Sequence, residues 1–343
     1  MLILMHSTAT PEDVDEVAKK VKSLGFESHK MPGAQRIAVA ITGNPGPVEP
    51  AHFITMRGVA EAISISKPWK LVSRETHPHD TVVSLKGPGG QPSKLGGGTF
   101  GIFAGPCAVE TREQTLAAAR AVRESGARFL RGGAYKPRTS PYAFQGTKLE
   151  GLKILAEARA ETGMPVVTEV IDPQHVDLVA QYADILQIGT RNAQNFALLE
   201  AVSQAGKPVM LKRGMSSTIQ EFLMAAEYIV KGGNYNVILC ERGIRTFETM
   251  TRNTVDLGSI PLIKRLTHLP IIVDPSHGTG DALSVPAMAR AALAVGADGI
   301  MVDVHPDPAK ALCDGPQSLT PQIFATLMES LRAMAQVLKV ELV

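Results

Sequence analysis

Short apolar segments alternate with longer segments of helical periodicity from residue 99 onward. Eight apolar segments recur: TFGIFAGPC (99–107), RFLRGGAY (128–135), PVVTEV (165–170), ILQIGT (185–190), PVMLKRG (208–214), VILCERG (237–243), PIIVDPSHG (270–278) and GIMVDVHP (299–306). Between them, Leu, Ala and charged residues recur at helical spacing, as in TREQTLAAARAVRESGA (111–127), with Thr111 as its predicted N-cap. Eight β–α repeats over about 240 residues predict an α/β fold, a (β/α)8 TIM barrel. A doubly wound open sheet is the alternative, but no GxGxxG motif follows these strands.

Residues 1–70 predict a separate α+β domain of ferredoxin-like fold, with the element order βαββαβ. The elements located in the sequence are a strand LILMH (2–6), a helix from Pro11, a strand RIAVAI (36–41), a short helix PVEPAHFITMRG (47–58) and a strand AEAISIS (60–66). Thr10 is the predicted N-cap of the first helix, and Gly25 ends it. The apolar residues of this helix lie on one face and are Val14, Val17, Val21 and Leu24.

Residues 71–98 are predicted to link this domain to a catalytic barrel over residues 99–343. The segment KGPGGQPSKLGGG (86–98) is so rich in Gly and Pro that no regular structure is expected in it. TVVSL (81–85), just before it, is predicted to form a strand that caps the barrel.

The composition argues against a general nucleic-acid binder and against a transmembrane protein. A hydrophobic content of 44% supports a large core, and a formal charge of +2 argues against a general nucleic-acid binder. No apolar stretch approaches the ~18 residues of a transmembrane helix, and MLILMHSTAT lacks the basic region of a signal peptide. Three cysteines (Cys107, Cys240 and Cys313) suit a reducing compartment, so we expect a cytoplasmic protein.

Each predicted barrel strand is apolar in its first half and polar or ionisable where it ends. The residues at these ends are Cys107, Arg131, Glu169, Gln187, Lys212 with Arg213, Glu241 with Arg242, Asp274 with His277, and Asp303 with His305. Active sites of (β/α)8 barrels form at the C-terminal ends of the strands. The pattern therefore predicts one active site that draws on all eight strands.

Cations dominate this predicted rim. They are Arg131, Lys136, Arg138, Arg191, Lys212, Arg213, Arg242 and Arg245. Such a cluster repels itself, and anionic ligands would offset the repulsion, because Arg offers a bidentate fork to phosphate or carboxylate. The alternative is that several of these side chains form structural ion pairs with Glu169, Glu241 or Glu248.

A second group at the rim has the donors of a metal site. Cys107, His277, Asp303 and Asp314 combine one thiolate, one imidazole and two carboxylates, which suits Mn²⁺, Fe²⁺, Co²⁺ or Zn²⁺. Barrel closure would bring the first and eighth strands together and allow these residues to converge. Alternatively, Cys107 is a small buried apolar residue and His277 an ordinary loop histidine.

The chain resembles the 3-deoxy-D-arabino-heptulosonate 7-phosphate synthases that carry an N-terminal ferredoxin-like regulatory domain. The motifs behind the resemblance are KPWKLVSRE (67–75), GPCAVE (105–110), RGGAYKPRTSPYAFQG (131–146), QIGTRNAQNF (187–196), LKRGMSST (211–218), ILCERGIRTFE (238–248), DPSHGTG (274–280) and VHPDPAKALCDGPQSL (304–319). The resemblance implies condensation of phosphoenolpyruvate with erythrose 4-phosphate, the first step of the shikimate pathway to aromatic amino acids. The alternatives are a 3-deoxy-D-manno-octulosonate 8-phosphate or sialic acid synthase, and a non-enzymatic barrel that senses phosphosugars.

The resemblance also implies roles for individual residues. The phosphate of phosphoenolpyruvate would be held by Arg191, Lys212 and Arg242, and its carboxylate side by Arg131 and Lys136. The sugar phosphate would be held by Arg138, Thr139 and Ser140. A divalent metal on Cys107, His277, Asp303 and Asp314 would polarise the aldehyde. The expected catalytic residues are Lys136, which is also the candidate proton donor, Cys107 and His277.

Two residues depart from the family pattern. Asp303 stands where the family usually has Glu, which puts the metal preference in doubt because its side chain is one methylene shorter. Cys313 replaces the usual Ser before the last metal ligand, and we hypothesise that it forms a disulfide with Cys107 when the metal is absent.

The resemblance finally implies partners. The N-terminal domain is expected to bind an aromatic amino acid, most often tyrosine, as a feedback inhibitor, and a dimerisation module without ligand is the alternative. The family suggests a homotetramer and leaves room for a chorismate mutase partner.

Overall fold

The structure is a computed structural model that describes residues 1–32, 36–46, 48–64, 67–86 and 92–343. The chain divides into two units, Met1–His79 and Asp80–Val343. The boundary between them lies inside the predicted linker, residues 71–98.

The described residues of the first unit form a four-stranded antiparallel sheet with one α-helix. Its elements are β1 (Leu2–Met5), α1 (Pro11–Ser23), β2 (Glu27–Pro32), β3 (Ile37–Thr42) and β4 (Val59–Ile63). The strand order β2-β3-β1-β4 is that of a ferredoxin-like fold, and every neighbouring pair is antiparallel. Thr10 and Asp13 form a capping box at the start of α1, as the Thr10 prediction requires. The apolar face of α1 packs on the sheet and contributes Val14, Val17 and Val21 to the core.

The helix predicted over residues 47–58 is wrong. A 3-10 turn over Pro50–His52 takes its place, and Pro47 lies outside the described residues. Glu49 is extended, as expected for a residue before proline, and Phe53 already has φ −127°, so the turn cannot grow in either direction. β4 ends at Ile63, and the last two residues of the strand predicted over 60–66 lie outside the described residues.

A β-hairpin opens the second unit. β5 (Val83–Lys86) and β6 (Pro92–Leu95) pair antiparallel, with Val83 opposite Leu95. Residues 92–95 were predicted to lack regular structure, so β6 corrects that prediction; residues 87–91 lie outside the described part of the chain. Val83, Leu85 and Leu95 are buried against the side chains that fill the barrel interior. The apolar face of the hairpin thus outweighs the weak strand propensity of its sequence.

Eight parallel strands close into the predicted barrel. They are β7 (Thr99–Gly105), β8 (Phe129–Arg131), β9 (Val166–Val170), β10 (Ile185–Ile188), β11 (Val209–Lys212), β12 (Val237–Glu241), β13 (Ile271–Val273) and β14 (Gly299–Asp303). Each strand pairs with the next, and β14 pairs with β7 with Met301 opposite Phe103, which closes the sheet and rules out the open alternative. A short ninth strand, β15 (Glu341–Leu342), pairs parallel with the start of β7.

In the described part of the second unit, nine helices connect and cover the strands. They are α2 (Arg112–Glu124), α3 (Leu149–Thr162), α4 (Val176–Tyr182), α5 (Phe196–Ser203), α6 (Ile219–Lys231), α7 (Ser259–Leu266), α8 (Pro275–Thr279), α9 (Val285–Ala294) and α10 (Pro321–Leu338). Thr111 caps α2 through the amide of Gln114, which confirms the predicted cap. Among the described helices, none is both long and apolar enough to cross a membrane.

Candidate functional site: a cation-lined cavity beside a thiol cluster

A cavity of about 370 Å³ opens at the C-terminal ends of the barrel strands. Ten of the predicted site residues line it: Arg131, Lys136, Arg138, Thr139, Ser140, Arg191, Lys212, Arg242, His277 and Asp314. They come from β8, β11 and the segments after β8, β10, β12, β13 and β14, so barrel closure assembles them. The other two predicted residues do not line the cavity themselves. Cys107 contacts Lys136 of the lining, and Asp303 contacts His277.

Two guanidinium groups at the cavity are buried with unused donors. Arg131, the last residue of β8, donates from Nη1 to the carbonyl of Pro106 (2.6 Å) and lies 3.1 Å from Asp303 Oδ1. Its Nε, and Nη1 of Arg242, have no hydrogen-bond partner among the described residues. Burial lowers the pKa of Arg242. Buried donors without partners are rare in native proteins, so these groups are suited to an anionic ligand.

Lys136 lies against the thiol of Cys107. Its Nζ is 3.0 Å from both Cys107 Sγ and the carbonyl of Cys107. Gly133 allows this approach, because a Cβ there would lie 2.7 Å from the same carbonyl and 2.8 Å from Lys136 Cδ. Burial alone would lower the pKa of Lys136, but the neighbouring Cys107 and Cys313 outweigh burial and raise it. Lys136 is therefore an ammonium at neutral pH.

Lys212 and His277 share one buried carboxylate. Asp274 Oδ2 lies 2.5 Å from Lys212 Nζ and 2.8 Å from His277 Nδ1, and Asp274 Oδ1 accepts the backbone N–H of His277. Burial would raise the pKa of Asp274, but His277 and Lys212 hold it well below its usual range. Burial lowers the pKa of His277 and outweighs Asp274 and Asp303, so the ring is neutral and keeps a lone pair.

Two of the predicted rim cations do not line the cavity. Arg213 is buried in ion pairs with Glu241 (2.9 Å) and Asp256 (2.9 Å), which is the structural alternative that the sequence left open. Arg245 lies at a separate, neighbouring cavity, together with Arg191. Glu248 accepts the backbone N–H groups of Thr249 and Met250.

Arg138, Thr139 and Ser140 lie on the loop after β8. Arg138 Nη1 is 2.7 Å from Cys313 Sγ, and Arg191 Nη2 donates to Thr139 Oγ1 at 3.3 Å. All three residues line the cavity, so a second anionic group bound there would be within their reach.

A triangle of donors faces the Nε2 side of His277. Cys107 Sγ lies 3.7 Å from His277 Nε2 and 3.1 Å from Asp314 Oδ2, and the latter two atoms are 3.6 Å apart. Ligands of a tetrahedral ion with bonds of about 2.0–2.3 Å are separated by roughly 3.3–3.8 Å. Two sides of the triangle fit a divalent metal, and the Cys107–Asp314 side, at 3.1 Å, is slightly shorter. Thiolate, imidazole and carboxylate together favour a borderline transition metal.

Asp303, the fourth predicted metal ligand, lies on the other side of the ring. Its Oδ2 is 3.6 Å from His277 Nδ1 and accepts Gln317 Nε2 at 2.6 Å, while Oδ1 pairs with Arg131. Its role as a ligand stays a prediction.

Cys313 lies beside two of these donors, Cys107 and Asp314. Its Sγ is 3.9 Å from Cys107 Sγ and 3.5 Å from Asp314 Oδ2, and both cysteines are free thiols. Contact with Cys313, together with burial, raises the pKa of Cys107 well above its usual value, and the same contact lowers the pKa of Cys313.

Sequence reasoning missed two residues of the site. Arg252, which lines the cavity, donates to Asp314 Oδ1 (3.2 Å) and to Gln317 Oε1 (2.6 Å), and Gln317 in turn holds Asp303. Arg252 lies between β12 and α7, far from any strand end, so the strand-end pattern could not find it.

Comparisons with known proteins identify the family. The profile of the DAHP synthetase I family matches residues 80–340, and that of the DAHP synthase ferredoxin-like domain matches residues 1–67. The phospho-2-dehydro-3-deoxyheptonate aldolase of Thermotoga maritima is 48% identical over 341 residues, 99% of each chain. The chain belongs to the DAHP synthetase I family. The resemblance seen in the sequence is thereby confirmed.

Solved structures of the family agree with this assignment. The crystal structure of the Thermotoga maritima enzyme matches with a TM-score of 0.79 at 47% identity, covering 100% of this chain and 99% of that one. A truncated form of the Thermotoga enzyme matches 80% of this chain and 98% of its own, with a TM-score of 0.73. A 2-dehydro-3-deoxyphosphooctonate aldolase from Nitratidesulfovibrio vulgaris is 35% identical over 68% of this chain and 91% of its own.

Proposed function

We propose that this chain condenses phosphoenolpyruvate with D-erythrose 4-phosphate and water, forming 3-deoxy-D-arabino-heptulosonate 7-phosphate and phosphate. The observation that carries the proposal is the cavity itself. It collects the cations of four strand ends, and two of its buried guanidinium groups keep donors without partners among the described residues. A pair of phosphorylated, anionic reactants supplies the acceptors that these donors lack.

Phosphoenolpyruvate would bind at the inner wall. Arg191, Lys212 and Arg242 are suited to its phosphate, since each lines the cavity and Arg242 has a free Nη1 in the described structure. Arg131 and Lys136 are suited to its carboxylate side. Asp274 fixes Lys212 by its 2.5 Å contact, so the ammonium is oriented before the ligand arrives.

Erythrose 4-phosphate would bind nearer the loop after β8. Arg138, Thr139 and Ser140 all line the cavity there, and guanidinium and hydroxyl groups together suit a phosphate. The reaction joins C3 of phosphoenolpyruvate to the aldehyde carbon, water adds at C2, and the bond from C2 to the phosphate oxygen breaks to release phosphate. Lys136, held as an ammonium, is placed to give a proton to the alkoxide that forms from the aldehyde oxygen.

We also propose a divalent metal at Cys107, His277 and Asp314. An ion held there would supply Lewis acidity that polarises the aldehyde of the sugar. The neutral ring of His277 and the carboxylate of Asp314, whose pKa lies far below its usual value, are already in the protonation states that ligands need. Mn²⁺, Fe²⁺, Co²⁺ and Zn²⁺ all remain candidates.

Regulation and assembly are proposed from the family alone. The ferredoxin-like first unit would bind an aromatic amino acid and inhibit the barrel, and the chain would form a homotetramer, with a chorismate mutase as a further partner. Deletion of residues 1–79 should leave catalysis and abolish inhibition. Inhibition by tyrosine or phenylalanine that survives the deletion would contradict the proposal.

The assay that tests the reaction follows phosphate release from phosphoenolpyruvate. Release should require erythrose 4-phosphate, should stop after chelation, and should return when one of the divalent ions is restored. Faster release with arabinose 5-phosphate would favour the octulosonate synthase, whose relatives match only about two thirds of this chain. If neither sugar phosphate causes phosphate release, the remaining hypothesis is the non-enzymatic barrel that senses phosphosugars.

A further inference from the structure

The fourth position of the proposed metal site has two candidates, Asp303 and Cys313. Asp303 Oδ2 accepts Gln317 Nε2 at 2.6 Å, and Oδ1 lies 3.1 Å from Arg131 Nη1 but has no hydrogen-bond partner among the described residues. It also approaches His277 at Nδ1, whereas Cys107 and Asp314 face Nε2. A histidine commonly binds its ion through one nitrogen and turns the other toward a supporting carboxylate, and this is the place that Asp303 occupies.

Cys313 has the geometry of a ligand. Cys107 Sγ, Cys313 Sγ and Asp314 Oδ2 form a triangle with sides of 3.9, 3.5 and 3.1 Å. Two sulfurs on a tetrahedral ion with Zn–S bonds of ~2.3 Å are roughly 3.8 Å apart, and a sulfur and an oxygen are roughly 3.6 Å apart. The two sides that meet at Cys313 therefore match one face of such a tetrahedron, and the Cys107–Asp314 side is about 0.5 Å shorter than the face requires.

The backbone explains how two adjacent residues reach one point. Consecutive side chains of an extended chain point to opposite sides, but Asp314 has φ +53° and ψ 34°, in the left-handed region. This turn brings Cys313 and Asp314 to the same side. A non-glycine residue held in that region is uncommon and is often found at functional sites.

The surrounding charges suit a second thiolate. Lys136 Nζ is 3.0 Å from Cys107 Sγ, and Arg138 Nη1 is 2.7 Å from Cys313 Sγ. A divalent ion with two thiolates and one carboxylate carries one net negative charge, which the two cations beside the sulfurs would stabilise.

We propose that Cys313 is a metal ligand of this chain, so that the donor set is Cys107, Cys313, His277 and Asp314, with Asp303 supporting the ring of His277. The proposal rests on the metal site of the proposed function. Binding would release the thiol protons to solvent and form two metal–sulfur bonds. A second thiolate shifts the preference of the site toward thiophilic ions such as Zn²⁺ and away from Mn²⁺.

X-ray absorption spectroscopy at the zinc edge tests the proposal on the full chain, loaded with Zn²⁺ under reducing conditions. We expect two sulfur ligands in the wild type, one in Cys313→Ser, one in Cys107→Ser and none in the double variant. Cys240→Ser, which removes a buried thiol in the barrel core away from the cluster, should keep two. Circular dichroism would verify that each variant is folded.

The wild-type spectrum decides the question even if a variant does not fold. One sulfur in the wild type, with none left in Cys107→Ser, would overturn the role of Cys313, and the condensation assay would still show whether the proposed function stands. A spectrum with only nitrogen and oxygen ligands would overturn both the role of Cys313 and the thiolate site, without bearing on turnover.

Discussion

At the N-terminal end of the barrel strands, Val83, Leu85 and Leu95 of the β5–β6 hairpin pack on an aliphatic and aromatic interior. At the C-terminal end of the same strands, Arg131 and Lys212 are buried to a similar degree but are charged. Apolar burial stabilises the first end, whereas desolvation opposes the second unless ions pair or ligands bind. The difference indicates that each strand contributes stability at its beginning and chemistry at its end, so substitutions at the two ends should have separable effects.

The largest expected effect is at the cavity. Lys136→Met should lower kcat by about 10²- to 10⁴-fold, because it removes the proposed proton donor. The thermal midpoint should change little, since the substitution also removes a buried charge. Lys153→Met, at an exposed lysine of α3, is the matched control and should change neither kcat nor the thermal midpoint. Full kcat in Lys136→Met, measured by phosphate release, would refute the role.

The opposite result is expected at the hairpin. Leu95→Ala should cost about 2–5 kcal/mol of stability, since Leu95 is fully buried against the barrel interior. Calorimetry should show a lower midpoint for the barrel, with kcat of the folded protein unchanged. Val82→Ala, at an exposed neighbour, should change stability by less than ~0.5 kcal/mol. A loss of kcat in Leu95→Ala without a lower thermal midpoint would contradict the separation of stability and catalysis between the two ends of the barrel.

A smaller effect is expected from Glu169, a buried acid at the cavity. Burial raises its pKa against the opposing charges of Lys136 and Lys212. The unfolded chain ionises first as pH rises, so the wild type loses stability between the ordinary pKa and the raised one. Glu169→Gln should therefore match the wild type near pH 4 and have a higher thermal midpoint at pH 7.

An exposed acid provides the control for this pH dependence. A hydrogen bond from Arg120 lowers the pKa of Glu161, so Glu161→Gln should not stabilise the protein at pH 7. Equal midpoints of Glu169→Gln and the wild type at pH 7 would argue that the cavity does not destabilise this carboxylate.

The smallest effect is confined to protein without metal. A disulfide reagent such as diamide should take two electrons and two protons from Cys107 and Cys313, whose sulfurs are 3.9 Å apart, and join them. Cys240, in the barrel core, should stay a thiol, because burial strongly raises its pKa. Peptide mass spectrometry without reduction reports the linkage, and a spectrum showing only free thiols would reject it.

Periodicity predicted the barrel well because the apolar pattern of each barrel strand and helix lies within its own short segment of the sequence. The eight apolar segments all became strands, and Thr10 and Thr111 cap the helices they were expected to cap. The errors lie where context overrides local preference. The polar edge strand β2 was not located, and the described residues 48–58 lack the second helix because proline and extended neighbours stop it.

Ten of the predicted site residues line the cavity, since polar residues at strand ends meet on one rim whatever their identity. Strand position could not distinguish Lys212, which faces the cavity, from Arg213, which pairs with Glu241 and Asp256. Adjacent residues point in different directions, and the partner of each depends on another strand.

The amino-acid sequence by itself determined the order of strands and helices, the charge carried to each strand end, and the presence of a second thiol beside Asp314. Only the tertiary structure decided that Cys107 and Asp314, 207 positions apart, face one nitrogen of His277 while Asp303 faces the other. The physical reason is that strand formation follows from local periodicity, whereas the position of a ligand atom depends on barrel closure and on the backbone angles of one loop.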